Sequence, residues 1–172
     1  MKKALDALLQ WRAMFIHLRL HSEFSVIDGT TRIDEAVKKA AADGQPALAI
    51  TDLNNLFGAL KLYKDARKKG LKPLLGTELT LQGIGDDVPS RVVVLVQGWQ
   101  GYLNLNELLA LAWTQNVHQF PQPLVTWAQL EQYSEGLIVL AGAQAGPVGQ
   151  SLLRGDDAQA RERATRLATL VP

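Results

Sequence analysis

Short apolar runs of strand length, each followed by a helical stripe, recur along the chain and restrict it to one broad class of fold. Residues 46–51 (PALAIT), 71–81 (LKPLLGTELTL), 91–96 (RVVVLV) and Leu137–Leu140 (LIVL) read as buried strands. Between them, apolar residues recur at helical spacing. Ile33, Val37, Ala40 and Ala41 form one stripe, with Thr31 and Asp34 as an approximate capping box and Gly44 as its end. Leu56, Leu60 and Tyr63 form the next, entered through Asp52 and Asn54 as turn and N-cap residues and closed by Arg67, Lys68, Lys69 and Gly70. Leu105, Leu108, Leu109 and Ala112 mark a third helix, residues 127–133 a short fourth, and Ala160, Ala164, Leu167 and Ala168 a last one. Residues 83–90 and 117–125, the latter with Pro121 and Pro123, read as loops. Strands alternating with helices predict an α/β fold with a parallel sheet, a barrel or an incomplete one because the chain ends before the last strands would come.

A chain of 172 residues fits one domain, here residues 14–172. Ahead of it, residues 3–13 place Leu5, Leu8, Leu9 and Trp11 at near-helical spacing. This extra N-terminal helix is a natural extension, an upstream start or an added segment. Asp6, Gln10 and Arg12 interrupt it, unlike a signal peptide, and no apolar run reaches membrane-spanning length, so neither a membrane partner nor secretion is expected. A formal charge of +1 gives no dominant field for gripping a nucleic-acid backbone, and the basic run ending at Gly70 reads as a solvated helix end. The absence of cysteine excludes disulfides and thiolate ligands and fits a cytoplasmic location. Trp99, Tyr102, Trp113 and Phe120 are expected in the core, with anchoring of an interface as the alternative.

Residues 15–29, FIHLRLHSEFSVIDG, carry the densest chemistry. Phe15, His17, Arg19 and His21 alternate with Ile16, Leu18 and Leu20, so a strand here puts the polar-tipped set on one face. Two imidazoles on one face, with Asp28 following, are a common way to hold a divalent metal. Arg19 works against that, since a permanent guanidinium charge between the two histidines repels a dication and suits pairing with Asp28 or binding a phosphate instead. Sites in such folds gather at strand carboxyl ends, where His21, Asp52, Glu78 and Gln97 fall.

In order, FIHLRLHSEFSVIDG, ALAITDLNNLFG, KPLLGTEL, VVVLVQGWQGYLNL and GLIVLAG resemble the PHP (polymerase and histidinol phosphatase) domains that open the α subunits of bacterial DNA polymerase III. The resemblance implies a distorted (β/α) barrel. It also implies a cluster of divalent metals at the strand ends, held by His, Asp, Glu and sometimes Cys, that hydrolyses phosphoesters or pyrophosphate. His21, Asp28 and Glu78 fall on ligand positions of that pattern, whereas Arg19, Leu53, Arg91 and Ala143 stand where other ligands would be. Leucine and alanine cannot ligate and arginine repels metal, so no catalytic residue and no bound metal are expected. Arg19 and Arg91 are free to neutralise Asp28 and Glu78 in place of cations.

The function implied is that of a structural scaffold in DNA replication. Its partners would be the rest of the polymerase α subunit and the proofreading exonuclease subunit. DNA would be met only through the parent protein, a DNA-directed DNA polymerase and so a nucleotidyltransferase. The alternatives are an active phosphoesterase or pyrophosphatase with divalent metals, and the equivalent domain of an error-prone α-subunit relative.

Overall fold

The computed structural model describes residues 15–84, 88–120 and 122–170, so the helix read over 3–13 and Pro121 lie outside the described residues. In chain order the regular elements are α1 (Ile33–Ala42), β1 (Ala47–Ile50), α2 (Ala59–Lys68), β2 (Lys72–Leu81), β3 (Ser90–Val96), α3 (Trp99–Thr114), α4 (Trp127–Gln132), β4 (Leu137–Leu140), α5 (Pro147–Leu153) and α6 (Asp157–Ala168). The α/β class holds, on a four-stranded sheet of order β1-β2-β3-β4.

The strand sense is mixed rather than wholly parallel. β1 and β2 run parallel, joined through α2. β2 and β3 are antiparallel, with Thr80 opposite Arg91 and Gly76 opposite Leu95. The physical reason is the short connection between Leu81 and Ser90, which is below the roughly dozen residues a crossover requires and leaves only a hairpin return. β4 is antiparallel to β3 as well. α3 carries the chain up to the β2 end, where Val125 bridges Leu81, and α4 brings it back to Gly136, whose carbonyl accepts the Gln97 amide at 2.9 Å.

The residues around His17 do not form a regular strand. They hold one parallel bridge, His17 to Leu48. The Ala49 amide reaches the His17 carbonyl at 3.0 Å and the Thr51 amide the Leu20 carbonyl at 2.9 Å, so three steps along the opening segment match two along β1. One surplus residue breaks the ladder, as in a bulge.

Two apolar clusters cover one side of the sheet. Ile33, Val37, Leu48, Ile50, Leu62 and Ala66 join α1 and α2 to β1, and Leu79, Leu81, Val92, Val94, Leu105 and Leu108 join α3 to β2 and β3. The opposite side carries a smaller cluster around Ala49, Val93 and Leu95.

Several helix details differ from the sequence reading. The buried face of α2 is Leu62 and Ala66, while Leu60 and Tyr63 are 63% and 41% exposed. Its N-cap is Gly58, not Asn54, and Asp52 serves elsewhere. Thr31 and Asp34 form no capping box, since Arg32 is the N-cap of α1 and makes no side-chain cap bond. In α6 the buried residues are Ala160, Arg163 and Leu167; Ala164 and Ala168 face solvent. Helix α5 had no periodic signal to announce it. Thr126 and Gln129 build a capping box on α4, in the Thr-x-x-Gln pattern. Of the four aromatics expected in the core, Trp99 is 73% and Trp113 51% exposed, and Tyr102 and Phe120 are half-buried.

Candidate functional site

One rim of the sheet collects the carboxyl ends of β1, β2 and β4 and, because of the hairpin, the amino end of β3. Glu78 sits there in an otherwise apolar strand, only 1% exposed, and its backbone is bridged to Leu53 just beyond β1. Arg19 grips it from the opening segment, Nη2 to Oε2 at 2.8 Å and Nε to Oε1 at 3.3 Å. His21 Nε2 lies 2.5 Å from the same Oε2. The other ring nitrogen, Nδ1, lies 2.8 Å from Asp28 Oδ1, so the imidazole bridges the two carboxylates.

Asp28 is held from the other side. Arg91 Nη1 donates to its Oδ2 at 3.0 Å and Ser25 Oγ to its Oδ1 at 2.7 Å. Arg91 also approaches Glu78 Oε2, at 4.0 Å. The turn that presents Asp28 is itself fastened to the sheet, because the Leu53 amide donates to Ser25 Oγ at 3.1 Å. Gly29 allows the turn to close, since a Cβ there would lie 1.9 Å from the Ser22 carbonyl oxygen.

Burial and pairing shape the titration of the cluster. The contact with Glu78 raises the His21 pKa against the lowering effect of its burial, with the Asp28 charge adding to the rise. Burial alone would raise the Glu78 pKa, but His21 and Arg19 together overcome it and hold the carboxyl below its ordinary value. Asp28 is likewise held low, with the bonds from Ser25 and Arg91 and the nearby His21 outweighing desolvation. The arrangement is a chain of alternating charge, Arg19, Glu78, His21, Asp28, Arg91, with the imidazole at its centre.

Asp52 belongs to the scaffold of this rim. It is buried and accepts from the Ser22 amide at 2.5 Å and from Ser22 Oγ at 2.8 Å, which pins the opening segment just past His21. Its pKa is raised, chiefly by burial. Gln97 is not at the rim. It follows the last residue of β3, which runs antiparallel, and so lies at the opposite end beside Gly136. Leu53 offers only its backbone. Ala143 stands in the turn after β4 with a positive φ of 48°, next to Gly142, which passes so close to the Arg91 carbonyl that a Cβ would lie 1.9 Å from its oxygen. The sequence reading missed Ser22 and Ser25, whose roles depend on where the turn folds back.

Among the described residues no group of three or more His, Cys, Asp or Glu side chains is placed to hold a metal ion. The one histidine of the cluster has a carboxylate oxygen close to each ring nitrogen, and each carboxylate is engaged by a guanidinium.

Over residues 17–172 the sequence matches the PHP domain family. It is 43% identical over 147 residues to DNA polymerase III subunit alpha of Vibrio cholerae, covering 84% of this chain and 12% of that protein. It is 36% identical over 172 residues to an error-prone DNA polymerase of Symbiobacterium thermophilum, covering 92% of this chain and 15% of that one. The chain thus spans under a sixth of the length of these relatives. Among solved structures, an amidohydrolase from Chromobacterium violaceum aligns with a TM-score of 0.46 and 21% identity, over 91% of this chain and 49% of that one.

Proposed function

The chain belongs to the PHP domain family, and on that premise we propose that it is a metal-free structural domain of a replicative DNA polymerase III α subunit. The observation that carries this reading is the double clamp on the rim carboxylates, Arg19 on Glu78 and Arg91 on Asp28. Two fixed positive charges occupy the electrostatic role that divalent cations would fill, and a dication entering the cluster would meet both at close range. The donor set does not fit a metal: a hydrolytic centre needs several free anionic or imidazole donors around an open coordination position.

In this reading the ion pairs do mechanical work. Arg19, His21 and Asp28 come from the opening segment and its turn, Glu78 from β2 and Arg91 from β3, so the cluster ties three parts of the chain together at one rim. The domain acts in DNA replication as a scaffold. It supports the rest of the α subunit and docks the separate proofreading exonuclease, while polymerisation and contact with DNA belong to the parent protein.

Elemental analysis of the purified chain, with a nitrophenyl-phosphate assay under added manganese or zinc, tests the reading. The expected result is sub-stoichiometric metal and no metal-dependent turnover. Near-stoichiometric metal with metal-dependent turnover would overturn it in favour of a phosphoesterase.

A further inference from the structure

A hairpin between β2 and β3 leaves the helix layer one member short. α2 follows β1 and α3 follows β3, but among the described residues no helix follows β2, so the outer face of β2 has a gap between α2 and α3. Burial along this face of β2 records the gap: Pro73 and Leu75 are half-buried, whereas Thr77, Leu79 and Leu81 further along the same face are buried. Over it lies an apolar groove of about 520 Å³, floored by Leu75 and Val96 and walled by Leu60 and Tyr63 of α2 and Trp99 and Tyr102 of α3. Its volume falls in the range of formed binding clefts. Trp99 stacks on Tyr102 at 5.6 Å between ring centroids, which sets a rigid aromatic wall instead of a loose side chain.

The groove runs into a basic end. Arg67 lies over the Tyr63 ring, 5.4 Å from its centroid, and donates to the Tyr63 hydroxyl at 2.7 Å. Arg67 and Lys72 line a neighbouring pocket that shares Tyr63 with the groove. Neither cation pairs with a carboxylate among the described residues. An apolar floor with an aromatic anchor suits the apolar stripe of a helix, and two unneutralised cations at one end call for acidic residues at the matching end of that helix.

We infer that the gap between α2 and α3 is a docking groove for an amphipathic helix of a partner protein with an acidic end, which completes the helix layer over β2. The inference rests on the scaffold reading for its purpose and adds the surface and the chemistry of the partner. A second copy of this chain fits less well, because a self-complementary contact of this face supplies no carboxylates for Arg67 and Lys72. Single-stranded nucleic acid fits less well too, because the floor is aliphatic and carries no line of cations to follow a backbone.

A displayed library of random peptides of about 16 residues, selected in parallel on the full chain, on Leu60→Glu and on Leu153→Glu as a distant surface control, tests it. Leu60 and Leu153 are both mostly exposed, so these variants fold. The expected result is enrichment of helices with apolar residues at i, i+3 or i+4, and i+7 and an acidic end, retained on Leu153→Glu. A synthetic peptide of the enriched sequence then loses about tenfold or more in affinity for Leu60→Glu. It also weakens on Arg67→Glu and on exchange of its acidic residues for lysine. Enrichment without an acidic end, equal enrichment on Leu60→Glu, no enrichment, a dimer in sedimentation that Leu60→Glu dissociates, or oligonucleotide binding that Trp99→Ala abolishes would each overturn it. The metal analysis judges the scaffold reading separately, so failure of either is visible alone.

Discussion

Arg19 and Glu78 meet through two bonds, 2.8 and 3.3 Å, across 59 residues of sequence. The carboxylate is buried and the guanidinium side chain is 56% exposed, so the pair is anchored on the sheet and open to water at its outer end. A buried carboxylate in an apolar strand is costly unless it is paired, and Glu78 is paired twice, with Arg19 and with His21. Four expectations follow, three from this rim and one from the opposite end of the sheet.

Glu78→Gln removes the charge that both cations face. Breaking a buried pair typically costs about 3–5 kcal/mol, and the solvent still available to Arg19 lowers the expected loss to about 2–3 kcal/mol. The urea midpoint of the variant against the unaltered chain measures it. An unchanged midpoint would mean that the clamp contributes nothing to the fold.

Stability will peak in mildly acidic solution. His21, its pKa raised above the ordinary 6.5, contributes fully below that value and loses its contribution as pH climbs through the raised one. Asp28 and Glu78 have pKa values held below the ordinary 3.8 and 4.5, so they contribute fully above those values and lose their contribution as pH falls through the lowered ones. Asp52 has the opposite sign: its raised pKa favours the folded state below 3.8 and that advantage fades with rising pH, which blunts the acid limb. The cluster is therefore complete between about pH 4.5 and 6.5. Urea midpoints recorded across pH will decline on both sides; His21→Gln will flatten the alkaline limb and, because His21 helps hold Glu78 and Asp28 low, will also shrink the acid limb.

Gly101→Ala will be among the more damaging single-methyl changes. The first turn of α3 passes against the turn before β4, where a Cβ on Gly101 would lie 1.8 Å from the Gly136 carbonyl oxygen. The nearest atoms met are all backbone of Gly136, so a helix must shift, at a cost of about 2–3 kcal/mol. Thermal unfolding of the variant reads this directly, and a Tm within a degree of the parent would contradict the close approach.

Arg19→His, Leu53→His and Arg91→His in one chain will gain a metal site. The triple variant removes both competing guanidinium charges and adds imidazoles beside His21, Asp28 and Glu78. Calorimetric titration with zinc is expected to give about one or more ions bound per chain for the triple variant. Arg19→His alone, which leaves Arg91 on Asp28, will bind far more weakly. A triple variant that folds and takes up no zinc would show that the rim has diverged in shape as well as in residue type.

Much of the local structure was legible because it depends on near neighbours in sequence. The β-branched run of β3, the apolar stripe of α3 and the glycine closing α1 each follow from residues within a turn or two. The misread faces of α2 and α6 have one cause. Leu60 and Tyr63 belong to a valid apolar stripe, but the layer they would pack against is missing over β2. In α6, Arg163 is buried where Ala164 would be chosen by hydropathy, because its guanidinium finds the Pro147 carbonyl at 3.1 Å. Hydropathy records what a side chain would prefer, not which neighbour arrives.

The sequence by itself determined the residue types at the rim: a histidine, two carboxylates and two arginines where a hydrolytic centre would keep ligands. Side-chain chemistry alone sets the capacity of these groups to pair. The tertiary structure decided who pairs with whom. The hairpin turned β3 around, which carried Arg91 to the same rim as Glu78 and took Gln97 away to the other. A turn held by Ser25 then set Asp28 against both His21 and Arg91. The short loop over residues 83–90 already limits β3 to an antiparallel return, but long-range closure depends on packing between distant segments, which no local pattern of residues encodes.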